Sequence, residues 1–291
     1  LRLDALRYAL PGAKPAAGRD TFISASLRGI ELEPLTRALD WPVFGGTLNG
    51  ELPGARLEDG VLSVDGGIGV EDYFDVGGGE SAHIAFDPDD PRLIYATTIN
   101  GTLTEYDHAT GLERTIIPYP ELVYGKDSKD LKYRANWNAP VALSPHDPAV
   151  IYYGTQVLLR STDRGVTWEA ISGDLTRNDP DKQGRNGGPL TPENVGAEFY
   201  NTIFYIVEST REPGVIWVGS DDGLVHLSRD NGERWDDVSP PHRGEAMINA
   251  IEISPNRPGT VYLAVTAYKL NDFAPYIWKT DDYGTSWYNV S

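Results

Sequence analysis

From about residue 83 the apolar positions fall in short alternating runs, each closed by Gly, Pro, Asp or Asn, and the runs recur as a unit. The first run of each unit reads His83-Ile84-Ala85-Phe86-Asp87-Pro88, then Val141-Ala142-Leu143-Ser144-Pro145, Ile206-Val207-Glu208-Ser209 and Ala250-Ile251-Glu252-Ile253-Ser254-Pro255. A turn and a second run follow: Leu93–Ala96, Val150–Tyr153, Val215–Val218 and Thr260–Leu263. Alternation over four to six residues between turn formers predicts half-buried strands. The aromatic of the second run (Tyr95, Tyr152, Trp217, Tyr262) returns after 57, 65 and 45 residues. A four-stranded unit repeating at about this spacing predicts propeller blades.

The third run of each later unit ends in a shared octet of hydroxyl, x, Asp, x, Gly, x, x, Trp. It stands as Ser161–Trp168, Ser228–Trp235 and Thr280–Trp287. The carboxylates of Asp163, Asp230 and Asp282 accept backbone N–H groups and fold an Asx-type turn. Gly165, Gly232 and Gly284 supply a positive φ. Trp168, Trp235 and Trp287 open the fourth strand and bury a large ring. These roles are structural. The first unit has no octet and turns at Tyr106-Asp107-His108-Ala109-Thr110-Gly111.

The octet resembles the Asp-box, or BNR repeat, of sialidases, sortilin-like proteins and glycosyl-hydrolase-like propellers. Residues 71–291 resemble large bacterial Asp-box proteins through Tyr133-Arg134-Ala135-Asn136-Trp137-Asn138-Ala139-Pro140, Gly187–Asn194, Gly219–His226 and Asp272–Tyr276. The resemblance implies an all-β Asp-box propeller. Four blades are seen, an incomplete ring, because such propellers carry six or more. Residues 71–291 also resemble, more distantly, two-propeller xyloglucanases. Asp75-Val76-Gly77-Gly78-Gly79 matches their first-blade V-x-I-G-G-G stretch. Their Y-A-R-T-D-x-G-G stretch, whose Asp is catalytic, reads here Tyr95-Ala96-Thr97-Thr98-Ile99-Asn100-Gly101. Ile99 occupies the carboxylate position, and an Ile neither activates water nor protonates a leaving group.

Residues 1–70 form a separate β-rich segment. Phe22–Leu32 reads as a strand and Glu33–Leu39 as a short helix. Gly45–Gly54 and Leu57–Val64 read as short strands joined by Gly turns. The helix, the G-x-L-x-G-x-L-P-G run and the Asp59–Gly67 ending resemble AsmA-like envelope bridge proteins. That family's long grooves are thought to carry phospholipid, which takes far more length than this segment has.

The formal net charge of −18 disfavours binding to a phosphate backbone or an anionic membrane. No apolar run is long enough for a transmembrane helix, and the absence of Cys removes thiol chemistry. The family resemblance implies an extracytoplasmic bacterial protein, periplasmic or secreted. The chain starts at Leu1 without a signal segment and reads as part of something longer.

In an antiparallel blade the octet turn lies at one end. The turn after strand two and the long links, about 118–138, 173–200 and 239–249, lie at the other. Long loops on a rigid frame carry function, so the candidate ligand-binding residues are Tyr133, Arg134, Trp137, Asn138, Glu198 and Tyr200. The partner expected there is a glycan or a peptide, since Trp and Tyr stack on sugars and anchor peptides. A second reading, a glycoside hydrolase with a displaced site, rests on Asp221 and Asp222. Their bland role is the hairpin that Asp222-Gly223 makes. A third reading is an interaction scaffold, with further blades or a protein partner on the open edges near Ile84–Phe86 or Trp287–Val290. Sialidase chemistry lacks its Arg cluster. The five His show no metal spacing, Asp87-Pro88-Asp89-Asp90 reads as a solvated turn, and no cofactor is expected.

Overall fold

A computed structural model describes residues 76–77, 80, 83–123, 125–184, 199–241 and 244–291. In the N-terminal part it describes the backbone of four strands. The chain divides into two compact units, Leu1–Asp75 and Val76–Ser291. It is all-β, and no helix among the described residues is long and apolar enough to cross a membrane.

The N-terminal unit is one antiparallel sheet of β1 (Leu6–Ala9), β2 (Thr21–Glu31), β3 (Thr47–Glu58) and β4 (Val61–Val64). The order β1-β4-β3-β2 differs from a simple meander, because β1 returns beside β4. Pro53 and Gly54 do not end a strand, as the sequence suggested. Ile23 pairs with Ala55 and Ala25 with Leu52, so one residue of β2 faces two of β3. A bulge of this kind takes up a Pro and a Gly within a continuous strand. The helix expected over 33–39 lies outside the described residues.

The second unit holds four antiparallel meanders of four strands each. The first is β5 (Ile84–Phe86), β6 (Leu93–Thr98), β7 (Thr102–Asp107) and β8 (Leu112–Thr115). The second is β9 (Val141–Leu143), β10 (Ile151–Gly154), β11 (Leu158–Ser161) and β12 (Glu169–Ala170). The third is β13 (Ile203–Glu208), β14 (Ile216–Ser220), β15 (Val225–Ser228) and β16 (Asp236–Asp237). The fourth is β17 (Met247–Ile253), β18 (Val261–Ala267), β19 (Asp272–Thr280) and β20 (Tyr288–Asn289). These are four propeller blades in sequence. β5 packs on β9, β9 and β10 on β13, and β13 and β14 on β17.

The cores lie between blades. Tyr95 of the first blade is buried with Val141, Ile151 and Leu159 of the second. Tyr152 of the second is buried with Ile203, Ile206 and Val218 of the third. Trp217 of the third joins Ile248, Ile251 and Leu263 of the fourth. The strand-two aromatic is therefore the residue that each of the first three blades presents to the next.

The octets hold this stack at its lower end. Ser161 Oγ accepts the Gly165 N–H at 2.8 Å and donates to Asp163 Oδ1 at 2.8 Å. Asp163 accepts the Thr167 N–H at 2.8 Å and the Thr167 hydroxyl at 2.6 Å. Arg164 and Gly165 both lie in the left-handed region, with φ of 58° and 77°. A Cβ on Gly165 would stand 2.7 Å from the Ile116 side chain. The glycine thus allows a left-handed turn and a close approach together. The other two octets repeat these bonds through Ser228 with Asp230 and Thr280 with Asp282. In the first blade Asp107 closes the turn by accepting the Ala109 N–H, and Gly111 takes φ of 67°.

Candidate functional site

The turns that follow the second strands, 99–101, 155–157, 221–224 and 268–271, lie at the blade ends opposite the octets. The links between blades reach the same end, here called the upper face. It is built from the polar side chains that tie these loops together.

Arg134 is the centre of one knot. It is 5% exposed. Its guanidinium donates to Asp174 Oδ2 at 2.8 Å, Asn178 Oδ1 at 3.2 Å and the Asn201 carbonyl at 3.4 Å. Its backbone N–H donates to Gln156 Oε1 at 2.7 Å, and Gln156 Nε2 donates to the Lys132 carbonyl. Burial and three acceptors leave this cation committed to the frame of the face. Gln156, four residues after Tyr152 as Ile99 is after Tyr95, has the same role.

Asp221 and Asp222 form the second knot. Asp221 accepts the Thr202 N–H at 2.9 Å, the Thr202 hydroxyl at 2.7 Å and Asn136 Nδ2 at 3.1 Å. Burial, and then the charge of Asp222, push its carboxyl up to about 7. Asp222 is fully buried. It accepts the Arg177 N–H, Asn201 Nδ2 and the Ser220 hydroxyl. With Gly223 at φ of 94°, it closes the hairpin between β14 and β15. Both carboxylates therefore spend their lone pairs on the loops. Ile99 begins a tight turn in which Asn100 takes φ of 63°.

The remaining residues expected at the site are nearer the surface. Tyr133 meets Tyr119 edge-on, with ring centroids 6.4 Å apart. Lys132 Nζ stands 4.3 Å from the Tyr119 ring centre and 5.3 Å from that of Tyr133. The two rings line a small hollow of about 40 Å³ with Asn100, Glu121, Tyr153 and Thr155. Glu121 anchors the loop beneath by accepting Lys126 Nζ at 2.6 Å and the Lys132 N–H at 3.2 Å. Trp137 is half-buried, and its indole N–H is buried with no partner among the described residues. The Asn138 N–H donates to Asn136 Oδ1. Tyr200 donates to Glu245, which also pairs with Lys182. Burial and the Glu245 carboxylate raise the Tyr200 phenol far above the usual range. Glu198 and the stretch Gly187–Asn194 lie outside the described residues.

A larger cavity of about 250 Å³ opens at the upper end of the fourth blade, beside the link that leads into it. Pro241, Val265, Asp272, Tyr276 and Trp278 line it. Tyr276 donates to Asp272 Oδ2 at 2.6 Å, and this bond holds the Asp272 carboxyl below its usual range. The Trp278 indole N–H has no partner among the described residues. Asp272–Tyr276 stood out in the sequence only as a stretch resembling Asp-box proteins, with no role at a site, and Trp278 did not stand out. The available signal was Tyr276 and Trp278 two residues apart, on one face of β19. No group of three or more His, Asp or Glu placed to hold a metal occurs among the described residues.

No protein-family model and no curated protein sequence matches this chain. Solved structures similar to it include a GH74 xyloglucanase from Xanthomonas campestris, at 14% identity and a TM-score of 0.31, covering 75% of this chain and 46% of that one. The Dos1 propeller is similar at 14% identity and a TM-score of 0.46, covering 74% and 50%. The GH74 enzyme of Niastella koreensis is similar at 15% identity and a TM-score of 0.35, covering 92% and 37%. The chain spans half or less of the length of these three.

Proposed function

We propose that this chain is a ligand-binding Asp-box propeller segment of an exported bacterial protein, which takes a glycan or a peptide on its upper face. The observation that carries the reading is the division of labour on that face. Its buried charges, Arg134, Asp221 and Asp222, are consumed in holding the loops. The Tyr119–Lys132–Tyr133 cluster is left at the mouth of a hollow on that rigid frame. Tyrosine rings stack on sugars or anchor a side chain at low entropic cost. A cation beside them adds a charged hydrogen-bond donor. The cavity at Trp278 and Tyr276 is a second seat on the same face.

Hydrolysis is the weaker reading for this chain. Glycoside cleavage takes two carboxyl groups facing across the bond. The equivalent of the xyloglucanase carboxylate is Ile99, and Asp221 and Asp222 already accept three bonds each.

The test is a glycan and peptide array probed with the full chain, repeated with Tyr133→Ala. Signals that disappear in the variant support the reading. Signals equal in both, or none at all, oppose it. Release of reducing ends from an array glycan in solution favours the hydrolase.

A further inference from the structure

The outer face of the fourth blade can be compared, position by position, with the three faces that are covered. A covered face presents three groups to the octet of the next blade. The first is the strand-two aromatic, buried as Tyr95, Tyr152 and Trp217. The second is the residue directly after strand four. Ile116, Ile171 and Val238 each donate their N–H back to strand three, to Leu103, Leu158 and Val225. Their carbonyls accept the indole N–H of Trp168, Trp235 and Trp287 at 3.0, 2.8 and 2.7 Å. Their side chains fill the space over the glycines at 165, 232 and 284. The third is the strand-three residue paired with the aromatic, which is Glu105, Arg160 or Leu227. Glu105 accepts the side chain of Arg164, and Arg160 donates to the Asn231 carbonyl. Arg164 and Asn231 are both fourth residues of the following octet.

The fourth blade carries all three groups. Tyr262 is its strand-two aromatic, and Lys279 is paired with it. Val290 follows β20 and donates its N–H back to Ile277 at 2.8 Å, as Ile171 does to Leu158. Tyr262 and Lys279 reproduce the Tyr152 and Arg160 of the second blade. Yet Tyr262 is 41% exposed and Val290 50%, where Tyr152 is 1% and Ile171 8%.

We infer that the outer face of the fourth blade is a docking socket for a further octet-bearing blade. The octet Trp would rest on Tyr262 and donate to the Val290 carbonyl, its Gly would sit over the Val290 side chain, and Lys279 would meet the carbonyl of its fourth residue. A second copy of this chain does not offer that occupant. Its three octet Trp residues are already bonded to their own preceding blades, and its first blade turns without a Trp.

The test extends the full chain by repeating residues 240–291 after Ser291, so that Pro240 follows Ser291 as it follows Ser239. The chain has no Cys, so Ile277→Cys in the original fourth blade places a single thiol on the outer face, where Leu103, Leu158 and Val225 are buried on the covered faces, and Ala264→Gly beside it gives the repeated Ile248 the space that Gly219 leaves it. Maleimide labelling at low concentration should be fast in the unextended chain. It should slow about tenfold or more in the extended one, since a packed interface opens only rarely. Replacing the Trp287 of the repeat by Ala should restore the fast rate. Three results overturn the inference. The thiol reacts slowly in the unextended chain at every dilution, which means the N-terminal unit covers the face. Its protection grows with protein concentration, which means a second copy does. Or the extended chain labels as fast as the original, whether the added blade resists protease or not.

Discussion

The indole N–H of Trp168 donates to the backbone carbonyl of Ile116 at 3.0 Å. The bond crosses from the second blade to the end of the first. Trp235 with Ile171 and Trp287 with Val238 repeat it. The octet is thus a staple between neighbours as well as a turn, and this separates its energetics from those of the upper face.

Ser161→Ala removes the hydroxyl that receives the Gly165 N–H and leaves that buried donor unpaired. The expected loss of stability is about 1–3 kcal/mol. Gly165→Ala should also destabilise, because it combines a positive φ with contact against Ile116. Urea unfolding measures both. Ligand affinity of the folded variants should match the wild type, and a tenfold loss at full stability would contradict the staple role.

Arg134→Ala strands the carboxylate of Asp174 and the acceptors of Asn178 and Asn201. Truncating such a buried, multiply bonded cation costs about 2–4 kcal/mol. Arg134→Lys should recover little, since one ammonium does not reproduce the guanidinium fork. Thermal unfolding of the two variants checks this, and a lysine variant as stable as the wild type would contradict it.

The alternation of short apolar runs made the four blades legible, as did the strand-two aromatic and the octet Trp. Their direction was not legible. Nothing in Tyr95 or Trp168 says which neighbour the ring faces, because that depends on the sheet twist and on pairs such as Trp168 with Ile116, 52 residues apart. Arg134 read as a ligand contact because Arg next to Tyr and Trp on a long loop is a common binding pattern. Its acceptors, Asp174, Asn178 and Asn201, lie 40 to 67 residues away. Asp222-Gly223 was readable as a hairpin from its own residues, since Gly after Asp sets the turn locally.

Asp221 gives the fold a pH dependence of known sign. Its carboxyl is raised from 3.8 to about 7 by burial and by Asp222. The folded state therefore holds the proton more tightly than the unfolded chain. The stability gained is complete below about pH 4 and is lost as pH rises towards 7. Carboxyls with lowered values, such as Asp107 and Asp163, act oppositely, but only as pH falls below their usual range. Between about pH 4.5 and 7.5 the buried His83 and His226, whose values are lowered by burial, add an opposite slope common to both proteins, so wild-type stability should fall by about 1–3 kcal/mol relative to that of Asp221→Asn. Equal slopes in paired urea titrations would contradict the assignment.

The binding reading is tested most directly by isothermal titration of the strongest array ligand into three proteins: wild type, Tyr133→Ala and Trp235→Phe. Tyr133 lies on the upper face and Trp235 in an octet at the opposite end. The account predicts that Tyr133→Ala weakens binding about tenfold or more. Trp235→Phe should lower stability and leave the Kd of the folded protein unchanged. An unchanged Kd in Tyr133→Ala together with a lost Kd in folded Trp235→Phe would place the ligand at the octet end and contradict the account.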